Sequence, residues 1–177
     1  LSISGSNVSF VNPSLRDFLK SFLNDKDFLL LLPGTARRAG WAKGLWRHIR
    51  GVFETHPEFL KQVAATSSGY LDRIDATPSI IKSDKNGYWR WSPDDIALTA
   101  RVELLLEWWA ASEQDLFIYK ALDLLLEGKL EHVSWRDAGS LPELHWWVIN
   151  FVDEEHQVRA NFLAALAALL VKTIEVG

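Results

Sequence analysis

The chain contains no cysteine and no methionine. Without cysteine there is no disulfide, no thiol nucleophile and no thiolate metal site, which is compatible with a reducing cytosol. Neither charge sign is in large excess: 19 Lys and Arg face 23 Asp and Glu, a net charge of −4, so no global field draws the chain to nucleic acid. No apolar run of transmembrane length is free of charge and no secretory signal is visible, so a cytoplasmic protein with no membrane contact is expected. The phosphate-binding pattern G-x-x-x-x-G-K-[ST] is missing, as is a strand ending in paired acids. The expectation is therefore a fragment with no cofactor and no catalysis of its own. No two histidines stand at i, i+4, and there is no H-E-x-x-H, so no zinc helix is expected.

What is present is ordinary in bulk and unusual in detail. Hydrophobic residues make up 48% and charged residues 24% of 177 residues, enough for one domain with a sizeable core or two small sub-bundles. Nine Trp and nine Phe are many for this length. They predict a core filled by bulky rings, with an aromatic surface for a partner chain as the alternative. The chain begins at Leu1 in what reads as mid-strand. With no methionine at all, it reads as an excised fragment, or as a chain from which modified residues are missing.

The most specific stretch is Val8 to Leu23, VSFVNPSLRDFLKSFL. Val8 and Phe10 alternate with Ser9, as in a half-buried strand. Asn12 suits an N-cap and Pro13 the first helical position. Leu15, Phe18, Leu19, Phe22 and Leu23 then fall on one helical face, and Arg16, Asp17 and Lys20 mostly on the other. Upstream, Leu1 and Ile3, the turn Gly5-Ser6-Asn7, and Val8 and Phe10 predict a hairpin over residues 1–11.

Helices follow in quick succession. Asp25 caps a segment carrying Phe28 to Leu32, which Pro33-Gly34 ends. Thr35 begins a helix to about Val52, and Thr55 with Pro57 another to about Ala65. Ser67 or Ser68 opens a short one to about Ile74. The stretch 75–91 is a hairpin of Ile80-Ile81 with Tyr88–Trp91 across Asn86-Gly87, or a long loop. Ser92-Pro93-Asp94-Asp95 reads as a helix start with acids in the first turn, and that helix runs to about Ala111. Ser112 caps the next, to about Glu127, before Gly128. Ser134 caps a turn around Trp135, Ser140-Leu141-Pro142-Glu143 opens a helix to Val152, and a last helix runs from Asp153 or Glu154 to Glu175. Its stretch Ala160–Val171 is apolar nearly all round, which predicts burial. Eight or nine helices with short connections give a mainly α fold, an irregular helical array or α-solenoid-like bundle with a short N-terminal β hairpin. No repeat consensus is found. Residues 1–24 form the hairpin and junction helix, and 25–177 the array, with a sub-division near 75–91.

The stretch VSFVNPSLRDFL resembles a junction of STAND-type P-loop NTPases, in particular a bacterial group of novel STAND NTPases. There a winged-helix domain ends in a strand reading F-x-N/H-P-S-[LVI]-R-D-[FY]-[LV] and runs into a helical region. Phe10, Asn12, Pro13, Ser14, Leu15, Arg16, Asp17, Phe18 and Leu19 match that pattern over about a dozen residues. The resemblance implies that residues 1–11 are the wing of a truncated winged helix. It implies that ATP binding and any effector lie upstream, and that the helices form a sensor region of a signal-operated switch, many of which act in phage defence. The implied partners are proteins: the chain's own NTPase domain, a trigger protein, or a second copy.

Arg37, Arg38, Lys43, Arg47, His48 and Arg50, interleaved with Trp41 and Trp46, are the candidate anion contact. The plainer reading, one solvated face of an amphipathic helix, is preferred for a chain that is acidic overall. Arg50 to His56 has the R-x5-H shape of the HEPN ribonucleases, in which Arg and His assist attack of a ribose 2′-OH. Pro57, however, places His56 in an inter-helix loop. Glu103 and Glu107 share a helix face and, with Arg101 nearby, read as surface ion pairs. In Trp108-Trp109 and Trp146-Trp147, neighbours diverge by about 100° on a helix, so one of each pair faces a second layer, a groove or a partner. These four form the candidate partner surface.

Overall fold

A computed structural model of the chain describes residues 2–4, 7–9, 21–85, 88–127 and 135–176. The junction residues Phe10 to Leu19 lie outside the described residues, as do the Asn86-Gly87 turn, Gly128 and Ser134. At the N-terminus two three-residue strands, β1 (Ser2–Ser4) and β2 (Asn7–Ser9), pair antiparallel. The other positions of the hairpin expected over residues 1–11 lie outside the described residues.

The chain is mainly helical. The α-helices among the described residues are α1 (Lys26–Leu31), α2 (Ala39–Val52), α3 (Pro57–Thr66), α4 (Leu98–Ser112), α5 (Leu116–Glu127), α6 (Trp135–Phe151) and α7 (Arg159–Val176). Two 3-10 segments, Pro33–Thr35 and Ser67–Arg73, join or extend them. Residues 75–91 resolve in favour of the hairpin: β3 (Ile80–Lys85) pairs antiparallel with β4 (Tyr88–Pro93), from Ile80 opposite Pro93 to Lys85 opposite Tyr88.

Helix α4 is the centre of the body, packing against α2, α3, α5 and α6. Leu98, Val102, Leu104, Leu105, Leu106 and Trp108 are all buried, so the helix is apolar on several sides because it has neighbours on several sides. Trp108 meets Phe117 of α5 at 5.7 Å and Tyr70 edge-on at 6.3 Å, which ties three elements through aromatic contacts.

Local capping explains α1, whereas α2 and α4 are capped from a distance. Asp25 caps α1, its carboxylate accepting from the Phe28 N–H at 3.1 Å, as its sequence position predicts. Helix α2 begins at Ala39 and not near Thr35, and its N-cap residue Arg38 supplies no side-chain cap. The cap comes from Asp95, 55 and 56 residues away. Its two carboxylate oxygens accept from the N–H groups of Ala39 at 2.9 Å and Gly40 at 2.8 Å. Helix α4 likewise has Ala97 at its N-cap and no local side-chain cap. Buried Asp137 of α6 reaches it, accepting from the Thr99 N–H at 2.7 Å. Each carboxylate satisfies orphan donors and sits where the helix dipole favours a negative charge.

Several predicted boundaries are therefore corrected. Ser92-Pro93-Asp94-Asp95 does not start a helix: β4 runs through Pro93, and Asp95 serves α2 instead of its own helix. Ser140–Glu143 does not start one either, because α6 begins at Trp135 and carries Pro142 inside it. The last helix begins at Arg159, after turns at His156. It is not buried all round: Phe162, Ala165, Leu166 and Leu169 face the core, whereas Leu170, Val171 and Ile174 are exposed. Among the described residues α7 packs one stripe against α5 and α6, and a 3.6-residue period turns the other side away from them.

Arg101 is the most unusual core residue. Its side chain is fully buried, where the sequence suggests a surface ion-pair partner. The guanidinium donates to the carbonyls of Ile74 at 2.8 Å, Thr77 at 2.6 Å and Ile96 at 3.2 Å, and lies 3.7 Å from the Asp95 carboxylate. One planar fork thus fastens the chain on both sides of the β3–β4 hairpin to α4. Burial pulls its pKa below the usual arginine range, and Asp95 opposes that shift.

Candidate functional site

The basic cluster on α2 faces the acids of α4. Lys43 pairs with Glu103, and Arg50 pairs with Glu107 at 3.1 Å. Arg38 pairs with Asp94 at 3.2 Å and also donates to its carbonyl at 2.6 Å. The α2 and α4 residues Lys43, Arg47, Arg50, Gly51, Glu54, Glu103 and Glu107 line a shallow cleft of about 430 Å³. Both signs are present there, and of the six candidate anion contacts Arg38, Lys43 and Arg50 are already matched by carboxylates. Arg37 and Arg47 are exposed, and among the described residues neither is in an ion pair. Glu103 and Glu107 are structural ion-pair partners, as their sequence position suggests.

The R-x5-H pair is split in its engagements. Arg50 is turned to Glu107 on α4. His56 is the N-cap residue of α3, its ring edge-on to Phe53 at 5.9 Å and its Nδ1 3.2 Å from the Thr55 hydroxyl.

The aromatic pairs separate as helix geometry requires. Trp108 is buried and Trp109 half-buried, and Trp147 is half-buried while Trp146 is 59% exposed. Trp108 is thus a core residue and not part of any partner surface. Trp109 lies between α4 and α6: its ring meets Trp147 edge-on at 6.0 Å and His156 at 5.9 Å, and its indole N–H donates to Asp115 at 3.2 Å. Phe151 packs against both α6 tryptophans, 5.8 Å from Trp146 and 5.2 Å from Trp147. The chain turns sharply after α6, where Arg159 donates to the Ile149 carbonyl at 3.2 Å and satisfies part of the helix C-terminus.

Beside this cluster, α4 and α6 leave a groove of about 470 Å³ between them. Thr99, Glu103 and Leu106 line it from α4, and Ser140, Pro142, Glu143, Leu144, Trp146 and Trp147 from α6. The volume lies within the range of about 300–1,000 Å³ common for ligand clefts. Glu143, Trp146 and Trp147 stand at i, i+3 and i+4, one helical face, which puts a carboxylate next to two indoles. Sequence reasoning found the indoles but missed Glu143, although that spacing was the signal available. It also missed Thr99, which lines the groove and whose backbone N–H is held by Asp137 of α6. The Thr99 hydroxyl is buried with no hydrogen-bond partner recorded among the described residues.

Among the described residues no group of three His, Asp or Glu could hold a metal ion, and no helix is long and apolar enough to cross a membrane. No protein-family model matches the chain, and neither a curated protein nor a solved structure matches it.

Proposed function

We propose that these residues form a non-catalytic recognition segment of a larger, STAND-like signal-transducing NTPase, acting in the cytoplasm and in phage defence. The groove between α4 and α6 is its docking surface. The observation that carries this reading is the pairing of exposed Trp146 with half-buried Trp147 on the wall of that groove. A large apolar side chain held half in water by a rigid helix is the usual anchor of a protein contact. The engagement of Lys43, Arg38 and Arg50 by carboxylates supports a protein partner over nucleic acid.

The link to an NTPase rests on the junction Phe10 to Leu19 alone. On this reading the strands β1 and β2 are the remnant of a wing. Asn12-Pro13 hands over to a helical array whose position is transmitted to an upstream motor. The trigger protein, the NTPase domain or a second copy would fill the groove.

Two measurements test the proposal. The complete reading frame should encode a Walker A motif a few hundred residues upstream, and its absence removes the NTPase link. Incubation with RNA in metal-free buffer should leave the RNA intact. Cleavage that disappears in His56→Ala would replace this reading with a HEPN-type ribonuclease using Arg50 and His56. A groove that binds no protein segment would reduce the chain to a plain helical scaffold.

A further inference from the structure

The geometry points to a basic segment of a partner protein as the occupant of the α4–α6 groove. We propose an extended stretch that lays a Lys or Arg side chain across Trp146 and Trp147 and an apolar side chain beside it. This rests on the recognition reading above and adds the chemistry of what is recognised.

The walls supply the apolar part: Leu106, Pro142 and Leu144 between the two helices, and the indoles of Trp146 and Trp147. The charges supply the sign. Among the described residues the ionisable groups lining the groove are Glu103 and Glu143, both acidic. Glu103 is held at one end by Lys43. Glu143 is exposed, and no ion pair is recorded for it among the described residues. An indole face attracts ammonium and guanidinium groups, so a carboxylate one turn from two indoles favours the same ligand twice. Lys and Arg also carry long apolar stems, which suit walls that are mostly hydrocarbon while the charged head reaches Glu143 at the rim. A phosphate backbone or an acidic peptide would meet the Glu143 charge with no cation among the lining residues to offset it. A wholly apolar segment would leave the Glu143 charge partly desolvated with nothing to offset it. The buried Thr99 hydroxyl beside the groove, with no hydrogen-bond partner recorded, is a second polar group left over by the fold.

The test uses a fluorescently labelled short peptide alternating Leu with Lys and Arg, and two versions with every cation replaced by Gln or by Glu. Anisotropy is read against the intact chain. The basic peptide should bind saturably and more weakly as salt is raised, and the Glu version should not bind. Glu143→Gln should weaken binding about threefold to fivefold, as loss of one exposed charge pair does. Glu143→Lys should weaken it further, and Trp146→Ala at least tenfold. Both positions are exposed, so an unchanged melting temperature will show that the variants fold. If the Gln peptide binds as tightly as the basic one, or Glu143→Lys leaves the affinity unchanged, the basic occupant is wrong, while the groove remains a docking surface for apolar segments. If none of the three peptides binds, both the proposal and the groove as recognition surface fall.

Discussion

Two buried polar residues show how far single side chains control this fold. Arg101 has traded its hydration for three carbonyls and one carboxylate. Removing it takes the guanidinium donor from the Ile74 and Thr77 carbonyls and the positive charge from beside Asp95. Arg101→Met should therefore cost about 3–5 kcal/mol, the range for breaking a buried ion pair from one side. For a chain of this size that is a fall in melting temperature of roughly 6–20 °C, read by thermal denaturation. Arg101→Lys should recover little of it, since an ammonium cannot span the same carbonyls. A loss under about 1 kcal/mol in Arg101→Met would show that the fork is dispensable.

Tyr70 makes the opposite case. Its ring is buried against Trp108, and its hydroxyl has no hydrogen-bond partner recorded among the described residues. Burial, helped by nearby Asp95, pushes the phenol from 10.0 up to about 12. The folded pKa lies above the unfolded one, so the contribution to stability is complete below pH 10 and is lost as pH rises towards 12. The slope is at most about 1.4 kcal/mol per pH unit across that window. Tyr70→Phe keeps the ring and drops the unpaired hydroxyl. It should be at least as stable as the parent at neutral pH and unfold at a higher pH in an alkaline titration. A parent and variant that unfold at the same alkaline pH would contradict this.

At the scale of elements, the recurring device is a helix capped from elsewhere. Asp95 holds the start of α2, and Asp137 holds the start of α4. This is why the boundaries misled. Ser92-Pro93-Asp94-Asp95 carries all the marks of a local N-terminus, yet its acid is spent on a helix more than fifty residues earlier. Pro142 looks like a first-turn proline, but α6 already has its turn made by then. Asp25, by contrast, caps the helix that follows it and was legible. Capping physics was read correctly; which helix a carboxylate serves is set by tertiary contacts that no local window contains.

The glycines of α2 test this device directly. A Cβ on Gly40 would come within 3.0 Å of the Asp95 carboxylate and 3.2 Å of Ile96, whereas Gly44 has nothing within 4 Å. Gly40→Ala should destabilise by about 1–2 kcal/mol, because the cap must shift. Gly44→Ala should stabilise by about 0.5–1 kcal/mol through helix propensity alone. Denaturant unfolding of both separates the two effects, and equal gains would show that the long-range cap does not constrain the entry of α2.

At the scale of the whole molecule, much of the surface chemistry was legible and its arrangement was not. Helical spacing alone required one tryptophan of each adjacent pair to leave the core, and Trp146 and Trp109 do so to different degrees. It did not say that Trp109 would be taken up against Trp147 and His156, leaving Trp146 as the most exposed of the four. The basic stripe of α2 was visible too, but its match to Glu103 and Glu107 depends on how α2 crosses α4. The α4–α6 groove is lined by Glu103, Glu143, Trp146 and Trp147, while the α2–α4 cleft carries both signs.

Recognition by this chain is centred on that groove in the proposal above. The decisive measurement is a magnetic-resonance titration of the nitrogen-labelled chain with the basic peptide, following the tryptophan indole N–H signals. The signals of Trp146 and Trp147 should move progressively, Trp109 less, and those of buried Trp46 and Trp108 should stay in place. Shifts confined to exposed Trp41, beside the basic residues of α2, or no indole shift at saturating peptide, would contradict the assignment of the α4–α6 groove as the recognition surface.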